Sequence, residues 1–297
     1  MNGLLAVGGL LLYGLIAVYV ERKLAAWIQD RIGPTETGPY GLWQTFADFL
    51  KLLRKAESLP ETALRGIFLF APLLALMATF ATLTWLPILT PSSDNPYALW
   101  LAMSILLLEG VALFLGGWAS GSKYALLGAY RLLVLIIAYE LILGLLLLTV
   151  LAHYGELSFT HLYRQQRNLP GALQSPFLLL ASMLWIAAGT AVAHRAPFDL
   201  PETESELVAG TLTEYSGLRF GLFMLAEYIV MLLQAIWVVW VFWGGWLGLV
   251  PVGVVGQMLL RWAWPRWRPD QVVALGWRLG IPLAFLCWIG EMISGRM

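Results

Sequence analysis

The sequence predicts an all-α polytopic membrane protein: about eight transmembrane helices plus a cytoplasmic-side amphipathic helix, in a single membrane domain over residues 1–297. Three observations predict it. Hydrophobic residues make up 60% of the 297 positions and charged residues 12%, against about 45–50% and about 25% in soluble proteins. Mean hydropathy is +0.75. Apolar runs repeatedly exceed about 18 residues, enough to cross about 30 Å of hydrocarbon. A soluble enzyme and a nucleic-acid binder are excluded, and 18 Lys and Arg against 18 Asp and Glu leave no net field to gather an anionic polymer.

The first span, 3–21, is followed rather than preceded by its charges, Glu21-Arg22-Lys23, so it does not read as a cleaved signal peptide. The first cytoplasmic loop covers 22–65. In it Gly33-Pro34 and Gly38-Pro39 break the chain into a turn. After the turn, Leu42, Phe46, Phe49, Leu50, Leu52 and Leu53 alternate with Asp48, Lys51, Arg54 and Lys55, the pattern of a helix lying in the membrane interface. Further spans follow at 66–90, 99–118, 132–152 and 176–194. An acidic cytoplasmic loop, 195–218, carries Asp199, Glu202, Glu204, Glu206 and Glu214. Asp199 and Glu202 read as a helix capping box, with Pro201 in the first turn. Spans at 219–243, 246–261 and 272–295 complete the chain; six Gly and Pro residues between 244 and 256 make 246–261 the weakest. Between the last two, Trp262, Trp264 and Trp267 alternate with Arg261, Arg266 and Arg268, an interfacial belt with basic anchors. With these spans, 15 Lys and Arg fall in loops on one side and 3 on the other. The richer side is therefore cytoplasmic and both termini are external.

Acids inside the spans are the first candidates for chemistry. Glu109, Glu140 and Glu227 stand 9, 8 and 8 residues from the cytoplasmic ends of their spans. That is a common depth of about 12–14 Å at 1.5 Å per residue. One acid near a helix centre costs about 2.5–3.5 kcal/mol to insert, so three at one level point to a shared hydrated proton path. In the 195–218 loop, Glu202 and Glu206 share a helix face and repel, which in a confined site turns carboxylates into proton carriers. His153, His161 and His194 show no spacing that would hold haem or copper, and each reads as non-ligating. A lone cysteine, Cys287, excludes a disulfide framework or a thiolate-held zinc or iron–sulfur site within this chain. No metal site is expected, and any redox cofactor must lie in other chains.

ERKLAAWIQDRIGP with GPYGLWQTFADFLKLL, GWASGSKYALLGAYR with YELILG, RAPFDLPETESELVAG with TEYSG and LAEY, and PRWRPDQVVALGW reach together from residue 21 to 277. In combination they resemble the H-type membrane subunit of bacterial NADH–quinone oxidoreductase, respiratory complex I, whose mitochondrial equivalent is subunit 1. The resemblance implies an eight-span subunit in the bacterial inner membrane at the joint between the hydrophilic and membrane arms. Such a subunit forms the membrane mouth of a chamber whose substrate is quinone, with FMN and iron–sulfur clusters in partner subunits. It assigns Arg22, Arg31, Asp48, Lys51, Arg195, Phe198 and Asp199 to the quinone cavity, and Lys123 and Arg131 to the surrounding charge network. Glu140, Glu227, Glu202, Glu204, Glu206 and Glu214, joined by Glu109 on depth, become the catalytic acids that pass protons or charge towards antiporter-like subunits.

The chain departs from the family pattern in places. Thr35-Glu36-Thr37 stands where relatives often read Asn-Arg-Val, and Leu135 and Ala138 where Gln and Ser are common. Val192-Ala193-His194 replaces a frequent Glu-Thr-Asn, which removes one acid from the family's chain. Two other readings compete. The homologous membrane subunit of an energy-converting hydrogenase would share these segments, but the intact DLPETESELVAG stretch favours the quinone enzyme. An ion-coupled transporter could use the same acids, yet no inverted repeat is visible.

Overall fold

A computed structural model describes residues 3–86, 95–200 and 209–294, with side chains from Gly8 onward. Among these residues every regular element is helical. In chain order, apart from 3₁₀ turns at Pro39–Gly41, Gly210–Leu212 and Leu247–Leu249, they are α1 (Gly3–Ile28), α2 (Gln44–Arg54), α3 (Arg65–Thr84), α4 (Ala98–Ala119) and α5 (Lys123–Tyr154). The short α6 (Phe159–Gln165) and α7 (Gly171–Gln174) lead into α8 (Pro176–Val192), then α9 (Gly217–Phe242) and α10 (Val250–Ala263). The chain finishes with α11 (Pro269–Leu275), a π-helical turn (Gly276–Gly280) and α12 (Ile281–Ser294), which run as one rod. Five helical stretches among the described residues are long and apolar enough to cross a membrane: α3, α4, α5, α9 and the α11–α12 rod. The stretches Pro176–Val192 and Leu247–Ala263 are shorter apolar helices. The molecule is an integral membrane protein.

α9 is the hub. In its apolar window 78% of residues are buried, against 22% for the α11–α12 rod; α9 touches α3, α8 and α10 while the rod lies outside, against α5 and α8. An all-round apolar helix of this kind belongs in the centre of a bundle. Around it Trp185, Trp237 and Phe242 fill one core, and Phe68, Leu113 and Phe223 fill a second. Among the described residues α1 packs mainly on α2, α9 and α10, and the space behind it becomes the site.

Helix ends differ from the expected spans where charged residues find partners. α1 runs on to Ile28 instead of ending at residue 21, because Glu21 and Arg22 are taken up by α2, α9 and the chain beyond α8. α5 starts at Lys123, nine residues before 132, and its first turns pack on the Gly210–Leu212 turn. α3 stops at Thr84, and residues 87–94 lie outside the described residues. So do Glu202, Glu204 and Glu206, and with them the expected capping box. Counted on the helices, Glu109 and Glu227 stand ten residues from Ala119 and Gly217, but Glu140 stands seventeen from Lys123. Equal counts from the helix ends therefore do not describe the three acids, because α5 begins nine residues before the expected span.

Candidate functional site

Turn chemistry sets the position of α2. Gly41 has φ +77°, and a Cβ there would stand 2.4 Å from the Pro34 carbonyl oxygen, so only glycine closes this turn. The Thr37 hydroxyl then donates to Gln44 Oε1 (2.8 Å), Gln44 Nε2 donates to Asp48 Oδ1 (3.0 Å), and Asp48 Oδ2 pairs with Arg22 on α1. The apolar positions of α2 divide between two faces. Phe46, Leu50 and Leu53 are exposed outward, while Phe49 and Leu52 look inward together with Thr45 and Asp48. On the far side, Glu57 pairs with Arg219 at 2.7 Å and Ser58 bonds Ser216, fixing the chain after α2 to the start of α9.

Between α1, α2, α3 and α9 this arrangement encloses a cavity of about 610 Å³. Its long walls are apolar, with Leu11, Leu15 and Val18 facing Met224 and Leu225, and Leu76 and Phe80 behind. Its polar end holds Glu21, Arg22, Arg31, Asp48, Tyr228 and Arg261. An apolar slot with a few convergent polar groups is the usual shape of a small-molecule site. A second, polar recess of about 540 Å³, bounded by Gly33–Glu36 and Gln44, shares Arg22 and Arg31 with the first.

Glu21 organises the polar end. It is 4% exposed, and donors from three other parts of the chain converge on it. Arg261 donates to Oε1, Tyr228 Oη donates to Oε2, and Arg195 Nη1 stands 3.5 Å from Oε2. The Arg195 guanidinium also lies 4.1 Å from the centroid of the Tyr228 ring, an attraction between cation and ring face.

Beyond Arg195 the segment folds inward. Phe198 packs on Tyr139 and Trp267, at ring-centroid separations of 5.2 and 6.0 Å, and Asp199 pairs with Arg266. The Trp267 N–H donates to the Pro197 carbonyl. Further on, Tyr215 stacks on Phe68 at 4.1 Å and donates to the Phe68 carbonyl; burial pushes its phenol above the usual range, so it acts as a donor. Among the acids inside the bundle, Glu109 and Glu227 are buried and Glu140 is half-buried. Glu140 lies within electrostatic reach of Glu109. Glu109 also faces His194, Oε2 to Nε2 3.6 Å, both side chains almost wholly buried.

Of the residues assigned to a quinone cavity, Arg22, Arg31 and Asp48 line the space, and Arg195 stands behind Glu21. Phe198 and Asp199 pack against α5 and the α10–α11 connection instead, and Lys51 is exposed. Lys123 is exposed at the start of α5, while Arg131 and Glu214 are partly buried. Sequence reasoning missed Glu21, read only as a charge following a span, and its partners Tyr228 and Arg261. It also missed Glu291 of α12. That carboxylate is 2% exposed; it meets His153 Nδ1 at 2.6 Å and accepts from the Ser175 hydroxyl at 2.6 Å. One signal was available for Glu291: an acid inside an apolar run, the criterion that selected the other three.

A family model described as NADH dehydrogenase matches residues 1–291. The second NADH-quinone oxidoreductase H-type subunit of Cytophaga hutchinsonii is 36% identical over 93% of this chain and 93% of its own length. The H-type subunit of Thermomicrobium roseum is 39% identical over 93% of this chain and 90% of its own, and the second one of Geobacter sulfurreducens 39% over 91% and 88%. With near-complete coverage in both directions, this integral membrane protein belongs to the NADH dehydrogenase family.

Proposed function

We propose that the chain is the membrane subunit of a proton-pumping NADH:quinone oxidoreductase, housing the membrane part of the quinone chamber and passing protons or charge from quinone reduction to antiporter-like subunits. The cavity between α1, α2 and α9 carries the reading. Its apolar walls suit an isoprenoid tail, and its end offers N–H donors from Arg22 and Arg31 to a quinone carbonyl oxygen. Reduction of a quinone to a quinol consumes two electrons and two protons, so electrons that arrive ahead of the protons would place negative charge beside the Glu21 cluster until the protons follow. FMN and iron–sulfur clusters belong to partner subunits, which would dock over the polar recess at Arg22 and Arg31. On this reading α1, α3, α4, α5, α8, α9, α10 and the α11–α12 rod are eight spans of the bacterial inner membrane. Their basic loops face the cytoplasm and both termini lie outside. Glu109, Glu140 and Glu227, with the acids of the 195–218 loop, would carry the protons.

The walls supply the test. Leu15→Trp, in the assembled complex, fills the slot without touching its polar end. It should raise the KM for a long-tailed quinone several-fold while leaving that for a short-tailed analogue nearly unchanged. Equal effects on both would mean that this slot does not hold the tail.

A further inference from the structure

His194 is 3% and Glu109 2% exposed. The 3.6 Å between Nε2 and Oε2 is too long for a hydrogen bond and short enough that a small side-chain rotation closes it. Glu109 Oε1 and both imidazole nitrogens have no hydrogen-bond partner. Three such atoms in one place are unusual, because buried polar groups are nearly always bonded. They are what a site leaves open when its bonds are made and broken by water or by moving protons.

The backbone agrees. His194 sits at φ +52°, left-handed geometry uncommon outside glycine, and strain of this kind collects at functional positions. Its N–H is bonded to the Ala191 carbonyl and that of Arg195 to the Thr190 carbonyl, so the turn is held by the end of α8. From 176 to 194 no other side chain titrates. The next residue, Arg195, reaches Glu21. His194 therefore stands between the Glu109–Glu140 pair and the polar end of the cavity. Imidazole suits that place, since one ring nitrogen can accept a proton while the other gives one up.

We propose that His194 carries protons for Glu109, making Glu140, Glu109 and His194 one relay between the membrane interior and the segment beside the Glu21 cluster. In one direction Glu109 gives its proton to Nε2, leaving a carboxylate and an imidazolium, and Nδ1 then releases a proton to water on the loop side. The reverse sequence recharges Glu109. The inference rests on the proton-relay reading above and adds a residue to it.

The test uses the whole complex in proteoliposomes, with assembly gauged by NADH oxidation with a hydrophilic acceptor. Asparagine tolerates positive φ, so His194→Asn removes the titrating ring and keeps the turn; His194→Gly is the second variant, free of any steric demand. Each should lower quinone-driven proton pumping about tenfold. Glu109→Gln combined with His194→Asn should pump no worse than the poorer single variant, as expected when two residues serve one step. The infrared band of the Glu109 carboxyl, identified by its loss in Glu109→Gln, should stop responding to quinone reduction in His194→Asn. Normal pumping in both histidine variants, or losses that multiply in the double variant, would overturn the proposal. If Glu140→Gln also pumps normally, the relay reading itself fails. If Glu140→Gln loses pumping and the histidine variants do not, only the role of His194 fails.

Discussion

At the scale of single residues, the polar end of the cavity is a problem of buried charge. Glu21 is taken out of water on α1, and it remains tolerable because Arg261, Arg195 and Tyr228 converge on its two oxygens. Removing one partner of such a set costs more than the pair contributes, since the remaining charge stays buried. Tyr228→Phe is the mildest cut. It keeps the ring under the Arg195 guanidinium and removes only the O–H donor, in a class of bond to charged groups that contributes about 1.5–3 kcal/mol. Quinone reduction by the complex should fall about tenfold, equivalent to about 1.4 kcal/mol of barrier, with NADH oxidation by a hydrophilic acceptor preserved. A wild-type quinone reduction rate would show that Glu21 needs no donor from α9.

At the scale of elements, glycine positions decide how closely helices meet. A Cβ on Gly290 of α12 would stand 2.3 Å from the Phe177 ring of α8. Beside that contact, Gln174 Nε2 donates to the Leu169 carbonyl, which turns its Oε1 towards His153 Nε2 (3.0 Å) and fixes a hydrogen on that nitrogen. His153 Nδ1 and Glu291 Oε1, 2.6 Å apart, are joined by a hydrogen bond, and the pair clamps α12 to α5. Gly290→Ala should destabilise the α8–α12 contact by about 1–3 kcal/mol through overpacking, read as a thermal transition several degrees lower. An unchanged transition would mean that α12 shifts freely on α8. The helices themselves were legible from apolar length and the turn at 33–41 from its Gly-Pro pairs. The two faces of α2 were not, because alternation along a helix shows that two faces exist without showing that the inner one meets a cavity rather than a core. Glu109 illustrates the same limit. Its neighbours on α4 are apolar, and the group that answers it, His194, arrives from another element 85 positions away.

At the scale of the whole molecule, the family resemblance read from residues 21–277 and the family match over 1–291 agree. Arg22, Arg31 and Asp48 could be nominated from their motifs. The Glu21 cluster could not, because it joins residues 174, 207 and 240 positions apart, a relation that only packing creates. The proposed sidedness, with basic loops cytoplasmic and both termini outside, has its own check. With the buried Cys287 replaced by Ser, single cysteines at Thr37 and at Arg167 should react with a membrane-impermeant maleimide from opposite faces of the membrane; reaction from one face would contradict the span arrangement. The most direct test of the central claim is photo-crosslinking of the complex with a long-tailed quinone bearing a photoreactive group, followed by mapping of the labelled peptides. Label should appear on α1 between Leu11 and Ala25 and on α9 between Leu218 and Tyr228, and excess unlabelled quinone should displace it. Displaceable label confined to other helices of this chain would contradict the assignment of the α1–α2–α9 cavity to quinone.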